Sequence, residues 1–184
     1  MEIFIGSIIA ILIIIGVMYN TLVSKRQTVR QSYADIDVQL KQRQNLIPNL
    51  VETVKAYAVH EKETFDAVIK ARNSSVQANT VQDQVAAESL LSGALGRLFA
   101  LSEAYPDLKA NRNFLELQDE LSTIEDKLAA ARRFYNSAVG DYNTSREQFP
   151  SVLVANMFNF KEETFFDLGT AERTNLSEAP KVEF

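Results

Sequence analysis

Residues 114–142 read FLELQDELSTIEDKLAAARRFYNSAVGDY. Phe114, Leu117, Leu121, Ile124, Leu128, Ala131, Tyr135, Ala138 and Tyr142 recur there at steps of three and four. That spacing lines one face of an α-helix, so a helix is expected over 112–146. Gln148-Phe149-Pro150 stops it, and Ser151 stands where it would cap a short helix over 152–160.

Upstream, residues 24–92 contain no Gly, and their only Pro is Pro48. Val29, Tyr33, Ile36, Leu40, Ile47, Leu50, Val54, Tyr57 and Val68 continue a heptad-like stripe, with Arg43 and Glu61 at seam positions. One long helix is expected, kinked by Pro48 between Gln44 and Asn49 and ending near 72–75. Thr80 and Asp83 make a capping box with Asp in place of the commoner Glu. A helix over 81–104 should follow, with Val85, Leu91, Leu95, Leu98 and Leu101 as its apolar face. Gly93 and Gly96 inside it mark either a close helix approach or simple tolerance.

Residues 3–19 read IFIGSIIAILIIIGVMY and carry no charge. Extended to Val23, the run gives about 20 residues, enough to cross the ~30 Å hydrocarbon core. A signal peptide would want a basic start and an A-x-A-like cleavage site, and a lipoprotein a Cys; none of these is present. Lys25, Arg26 and Arg30 follow the run, so the positive-inside rule places the C-terminal domain in the cytoplasm and the N-terminus outside. The expected organisation is all-α. It has a transmembrane anchor (1–23), then an antiparallel bundle of three long helices plus a short fourth (24–168), then a flexible tail (169–184). In that arrangement Val29, Tyr33, Ile36 and Leu40 are hard to cover from within one chain. The short fourth helix, a partner or a second copy would have to cover them, which makes them a candidate interaction seam.

Composition narrows the chemistry. There is no Cys and one His, so thiolate sites are excluded and triad catalysis or a helical di-metal site has little material. No phosphate-binding loop, dinucleotide fingerprint or nucleophile elbow is present. Residues 24–72 carry 9 basic and 6 acidic residues, and residues 73–184 carry 10 and 17. The first segment suits an anionic leaflet through Lys25, Arg26 and Arg30, or is a solvated face; the second argues against nucleic acid. Arg43, Glu61, Asn136 and Asn143 are candidate polar bundle contacts. Both Asn lie beside the seam seven residues apart and would need partners on a facing helix. No catalytic, metal-binding or cofactor-binding residue, no cofactor and no small-molecule substrate is expected.

Several stretches resemble the LemA family: YNTLVSKRQTV after the anchor, IDVQLKQRQNLIPNLVETVKAYAVHE at 36–61, LSGALGRLFALSEAYPDLKANRNFLELQDEL at 91–121 and ARRFYNSAVGDYNTSREQFPSVLVANMFNF at 131–160. The likeness covers nearly all of 19–168. Asp141 departs from it, standing where members often carry a basic residue. The resemblance implies a bacterial inner-membrane protein with one N-terminal span and a cytoplasmic helical bundle. Some relatives are associated with magnetosome membranes, and others are encoded near membrane proteases. No catalytic residues are established for the family, so none transfer. The expectation is a non-enzymatic, membrane-anchored scaffold whose partners are the bilayer and itself or another membrane protein; the alternative is an accessory to a membrane protease or signalling system.

Overall fold

A computed structural model of the chain describes residues 1–166. The tail expected over 169–184 lies outside the described residues. Six helices and no strand are found among those described: α1 Glu2–Lys55, α2 Lys62–Gln77, α3 Val81–Ser102, α4 Pro106–Lys109, α5 Arg112–Glu147 and α6 Ser151–Met157. The all-α expectation holds, and α3 and α5 begin at the expected residues. Thr80 accepts a hydrogen bond from the Asp83 N–H at 3.1 Å and donates to its carboxylate at 2.7 Å.

Two features differ from expectation. The first long helix does not reach 72–75. It carries on through Pro48 and ends at Lys55, and the chain turns over Ala56–Glu61 before α2 begins. The N–H groups of Tyr57 and Ala58 both donate to the Val54 carbonyl, and Glu61 N–H donates to Ala58, closing the turn. No Gly or Pro marks it. The apolar stripe survives the reversal because Ala58, Phe65, Val68 and Ala71 enter the same core as Ile47, Leu50 and Val54. Periodicity therefore looks like one helix where there is a helical hairpin. The last short helix has Pro150, not Ser151, at its cap position, with no side-chain cap bond, and it ends at Met157.

The described chain divides into two compact units. One holds Met1–Gln39 and Lys127–Phe165, and the other includes Leu40–Asp126. Within the second unit, α2 runs back along α1: Lys55 lies 6.0 Å from the Phe65 ring centre, and Gln44 reaches Ser75 at 2.7 Å. α3 runs back along α2, and α5 along α3, where the Phe99 and Phe114 rings meet at 6.2 Å. The result is an up-down-up-down arrangement of four segments around Leu50, Val54, Leu91, Leu98, Phe114 and Leu121. Gly93 and Gly96 meet nothing within 4 Å of an added Cβ, so tolerance, not close approach, explains them.

In the first unit, residues 3–14 and Val17 of α1 are exposed, and no residue of the most apolar 18-residue window is buried. Burial begins near Tyr19 and is complete at Leu22, Val29 and Ile36. α3 is also long and apolar enough to cross a membrane, but Leu91, Leu95 and Leu98 bury its apolar face in the second unit's core.

Candidate functional site

Arg43 stands at a seam position of α1 and is 5% exposed. Its guanidinium donates to Glu88 at 2.7 Å and to Ser92 at 3.0 Å, and it lies 3.2 Å from the Glu125 carboxylate. The second Glu88 oxygen accepts from Ser75 at 2.6 Å and from Gln84 at 3.3 Å. Gln44 donates to Ser75, and Arg72 donates to the Gln44 carbonyl at 2.7 Å. One buried polar cluster thus ties α1, α2, α3 and α5. A charge pair this deep needs such company, because its attraction alone barely repays the loss of water. Both Glu88 oxygens accept hydrogen bonds from within this cluster. An open groove of about 440 Å³ borders Arg43, with Ser92, Gly96, Gln118 and Glu125 on its walls.

Glu88 is 2% exposed and was not singled out in the sequence. The signal was there, since it lies three residues before Leu91 on α3's apolar stripe. Glu61 sits at the hairpin turn, where its carboxylate accepts from the Tyr105 hydroxyl at 3.3 Å. Burial, then the Glu61 charge, pushes that hydroxyl's pKa up. His60 lies exposed on the same turn. Among the described residues, no three His, Cys, Asp or Glu side chains gather as metal ligands.

In the first unit, the chain after α6 runs extended along α5 and is held by three side chains. The Tyr142 hydroxyl donates to the Lys161 carbonyl at 2.8 Å, and the Tyr135 hydroxyl donates to Thr164 at 2.8 Å. The Asn143 amide donates to the Glu163 carbonyl at 2.8 Å and accepts its N–H at 3.0 Å. Asn143 therefore finds its partner on an extended segment instead of the facing helix expected for it. Asn136 is half-buried. Burial is the main cause that pushes the Tyr135 hydroxyl up to about 12, helped by Glu163 and then Tyr33. Tyr142 moves the same way through burial and Glu163, with Arg26, Arg146 and Arg30 pulling against it.

Val29, Ile36 and Leu40 of the candidate seam are buried within the chain. Val29, Ile36 and Leu40 are each at most 3% exposed, and the Tyr33 ring meets Tyr135 at 5.7 Å. The half of α5 beyond Asp126 and the segment after α6 share in covering α1, where Tyr33 meets Tyr135 and Tyr19 meets Phe160. Of the three basic residues after the apolar stretch, Arg30 is exposed, Lys25 is half-buried, and Arg26 sits 4.9 Å from the Phe160 ring centre.

The LemA family pattern matches residues 32–184, most of the chain. The chain belongs to the LemA family. Among its relatives is Magnetosome protein MamQ 2 of Paramagnetospirillum magneticum, 24% identical over 186 residues, which cover 87% of this chain and 68% of that protein. MamQ of Magnetospirillum gryphiswaldense matches at the same identity and coverage. Protein LemA of Metamycoplasma hominis is 24% identical over 178 residues, covering 92% of this chain and 81% of its own length. The LemA match takes in both sets of polar contacts described above, around Arg43 and around Asn143.

Proposed function

We propose that this LemA-family chain is a single-pass membrane protein that acts by contact and not by catalysis. The observation that carries this reading is the unburied apolar stretch of α1 before Tyr19, which no part of the described chain covers. Such a surface in water would be an aggregation site, whereas in a bilayer it is satisfied. The basic residues Lys25, Arg26 and Arg30 favour the cytoplasmic side for both helical units, with the N-terminus outside. Names of relatives that place them at magnetosomes fit work at a cell membrane.

Val29, Ile36 and Leu40 are buried within the chain and offer no docking face, so we place the partner contact elsewhere on the helical surface and take the partner to be a distinct membrane protein. This is the accessory reading, in which the chain presents its helical surface to another protein. Co-purification from detergent-solubilised membranes tests it. A distinct, stoichiometric partner is expected, and recovery of the chain alone or only with copies of itself contradicts it.

A further inference from the structure

The residues from Gln148 to Phe160 form the longest uncharged run outside the anchor's neighbourhood that is open to solvent, and α6 lies inside it. α6 carries apolar residues on its buried side and on its open side. Val154 and Ala155 are buried against the first unit, at 3% and 1% exposure, while Leu153 and Met157 point the other way at 59% and 68%. Leu153 and Met157 are one helical turn apart and form one stripe. Phe149 before the helix and Phe158 after it extend this exposed apolar surface. An open apolar stripe bordered by the exposed Asn156 and Asn159 is the pattern of a helix lying at an apolar–water boundary.

The position of this surface says which medium. Phe158 and Phe160 pack edge-on against Tyr19 of α1, at 4.8 and 5.6 Å between ring centres. The exposed stretch from Ile3 to Val17 spans only about 22 Å at ~1.5 Å per residue, short of the ~30 Å core. Completing the span takes α1 to about Leu22, and Leu22 is 1% exposed, already enclosed by the first unit. The part of that unit that holds α6 therefore stands at the leaflet boundary. Arg26 follows Leu22 by about one turn and lies over Phe160, placing a cation at headgroup level above the aromatic rings.

From these positions we infer that α6 and its flanking phenylalanines are a second membrane contact, an interfacial foot that inserts its Leu153–Met157 stripe into the acyl region of the leaflet that α1 crosses last. The inference rests on the anchor reading of α1. The foot fixes the first unit's orientation on the membrane, because two points of contact on one unit remove its freedom to rotate about the anchor axis.

The chain contains no Trp, so one introduced Trp reports its own depth. The full chain is reconstituted in phosphatidylcholine–phosphatidylglycerol vesicles prepared in two sets, with bromines near the glycerol end of the acyl chain in one and near its methyl end in the other, so that a Trp at either depth is quenched in one of them. Leu153→Trp and Met157→Trp are exposed positions that leave the core untouched, and circular dichroism checks that each variant keeps its helix content. Leu12→Trp reports the anchor, and Leu115→Trp, exposed in the second unit, reports water. The inference expects Leu153→Trp and Met157→Trp to shift to the blue and lose most of their emission to the bromines, while Leu115→Trp keeps its emission. Quenching of Leu12→Trp without quenching in α6 overturns the foot and leaves the anchor standing. No quenching of Leu12→Trp overturns the anchor reading and the foot with it. Quenching of Leu115→Trp as strong as that in α6 also overturns the foot, because the vesicle would then be contacting the surface without preference.

Discussion

Asn143 pairs with the main chain of Glu163 along both edges of its amide, donating to the carbonyl and accepting the N–H as a neighbouring β-strand would. Asn143→Leu keeps the volume but leaves a donor and an acceptor on Glu163 without partners. At about 1–3 kcal/mol for an unsatisfied buried group, thermal unfolding should move down by several degrees. Trypsin cleavage at Lys161 should speed up, because the segment loses one of its three ties. Cleavage at the unaltered rate would show that Tyr135 and Tyr142 hold the segment unaided.

Alkaline pH should weaken the first unit. Tyr135 is pushed up to about 12 in the folded chain, against an ordinary value near 10. Folding therefore favours the protonated phenol. That stabilisation is complete below about pH 10, and it is lost as the pH rises towards 12. Urea midpoints measured across that range should fall for the natural chain and fall less steeply for Tyr135→Phe. Equal slopes would contradict the assignment to Tyr135.

The Arg43–Glu88 pair should behave as a unit. Arg43→Met alone removes the guanidinium that lies 2.7 Å from the buried Glu88 carboxylate and should cost about 3–5 kcal/mol. Arg43→Met combined with Glu88→Leu should cost clearly less than the two single changes added together, since neither charge is then stranded. Urea denaturation of the four chains gives the coupling, and an additive result would mean that the pair contributes nothing as a pair.

Gly93→Ala and Gly96→Ala should stabilise α3. No atom lies within 4 Å of either new Cβ, and Ala is favoured over Gly in a helix interior by about 0.5–1 kcal/mol. A rise in melting temperature for each variant is expected. A fall would reveal that the groove beside Gly96 needs its missing side chain.

The helical face of α5 was legible because all nine of its apolar positions keep step across 29 residues with no interruption. The Thr80 cap was legible for a local reason, since cap chemistry is decided within four residues. The hairpin at Ala56–Glu61 was hidden because its two arms share one core, so the stripe runs on through the turn and no Gly or Pro breaks it. Arg43 showed itself as a charge on an apolar seam, but its partner Glu88 lies 45 residues away, a distance no local pattern spans. The docking of 161–164 was hidden for a different reason. It is held by side-chain bonds to main-chain atoms, and main-chain partners leave no mark in a sequence. Asn143 was recognised as a residue needing partners, and only the structure shows that they are the N–H and C=O of Glu163.

The central claim is that α1 crosses a membrane once and leaves both helical units on its basic side. The absence of Cys allows a direct measurement. Lys62→Cys and Glu103→Cys place single thiols at exposed positions in the second unit. In intact cells, a membrane-impermeant maleimide should leave both thiols unlabelled, and in lysed cells it should label both. Labelling of either thiol in intact cells would put the helical units outside and contradict the account.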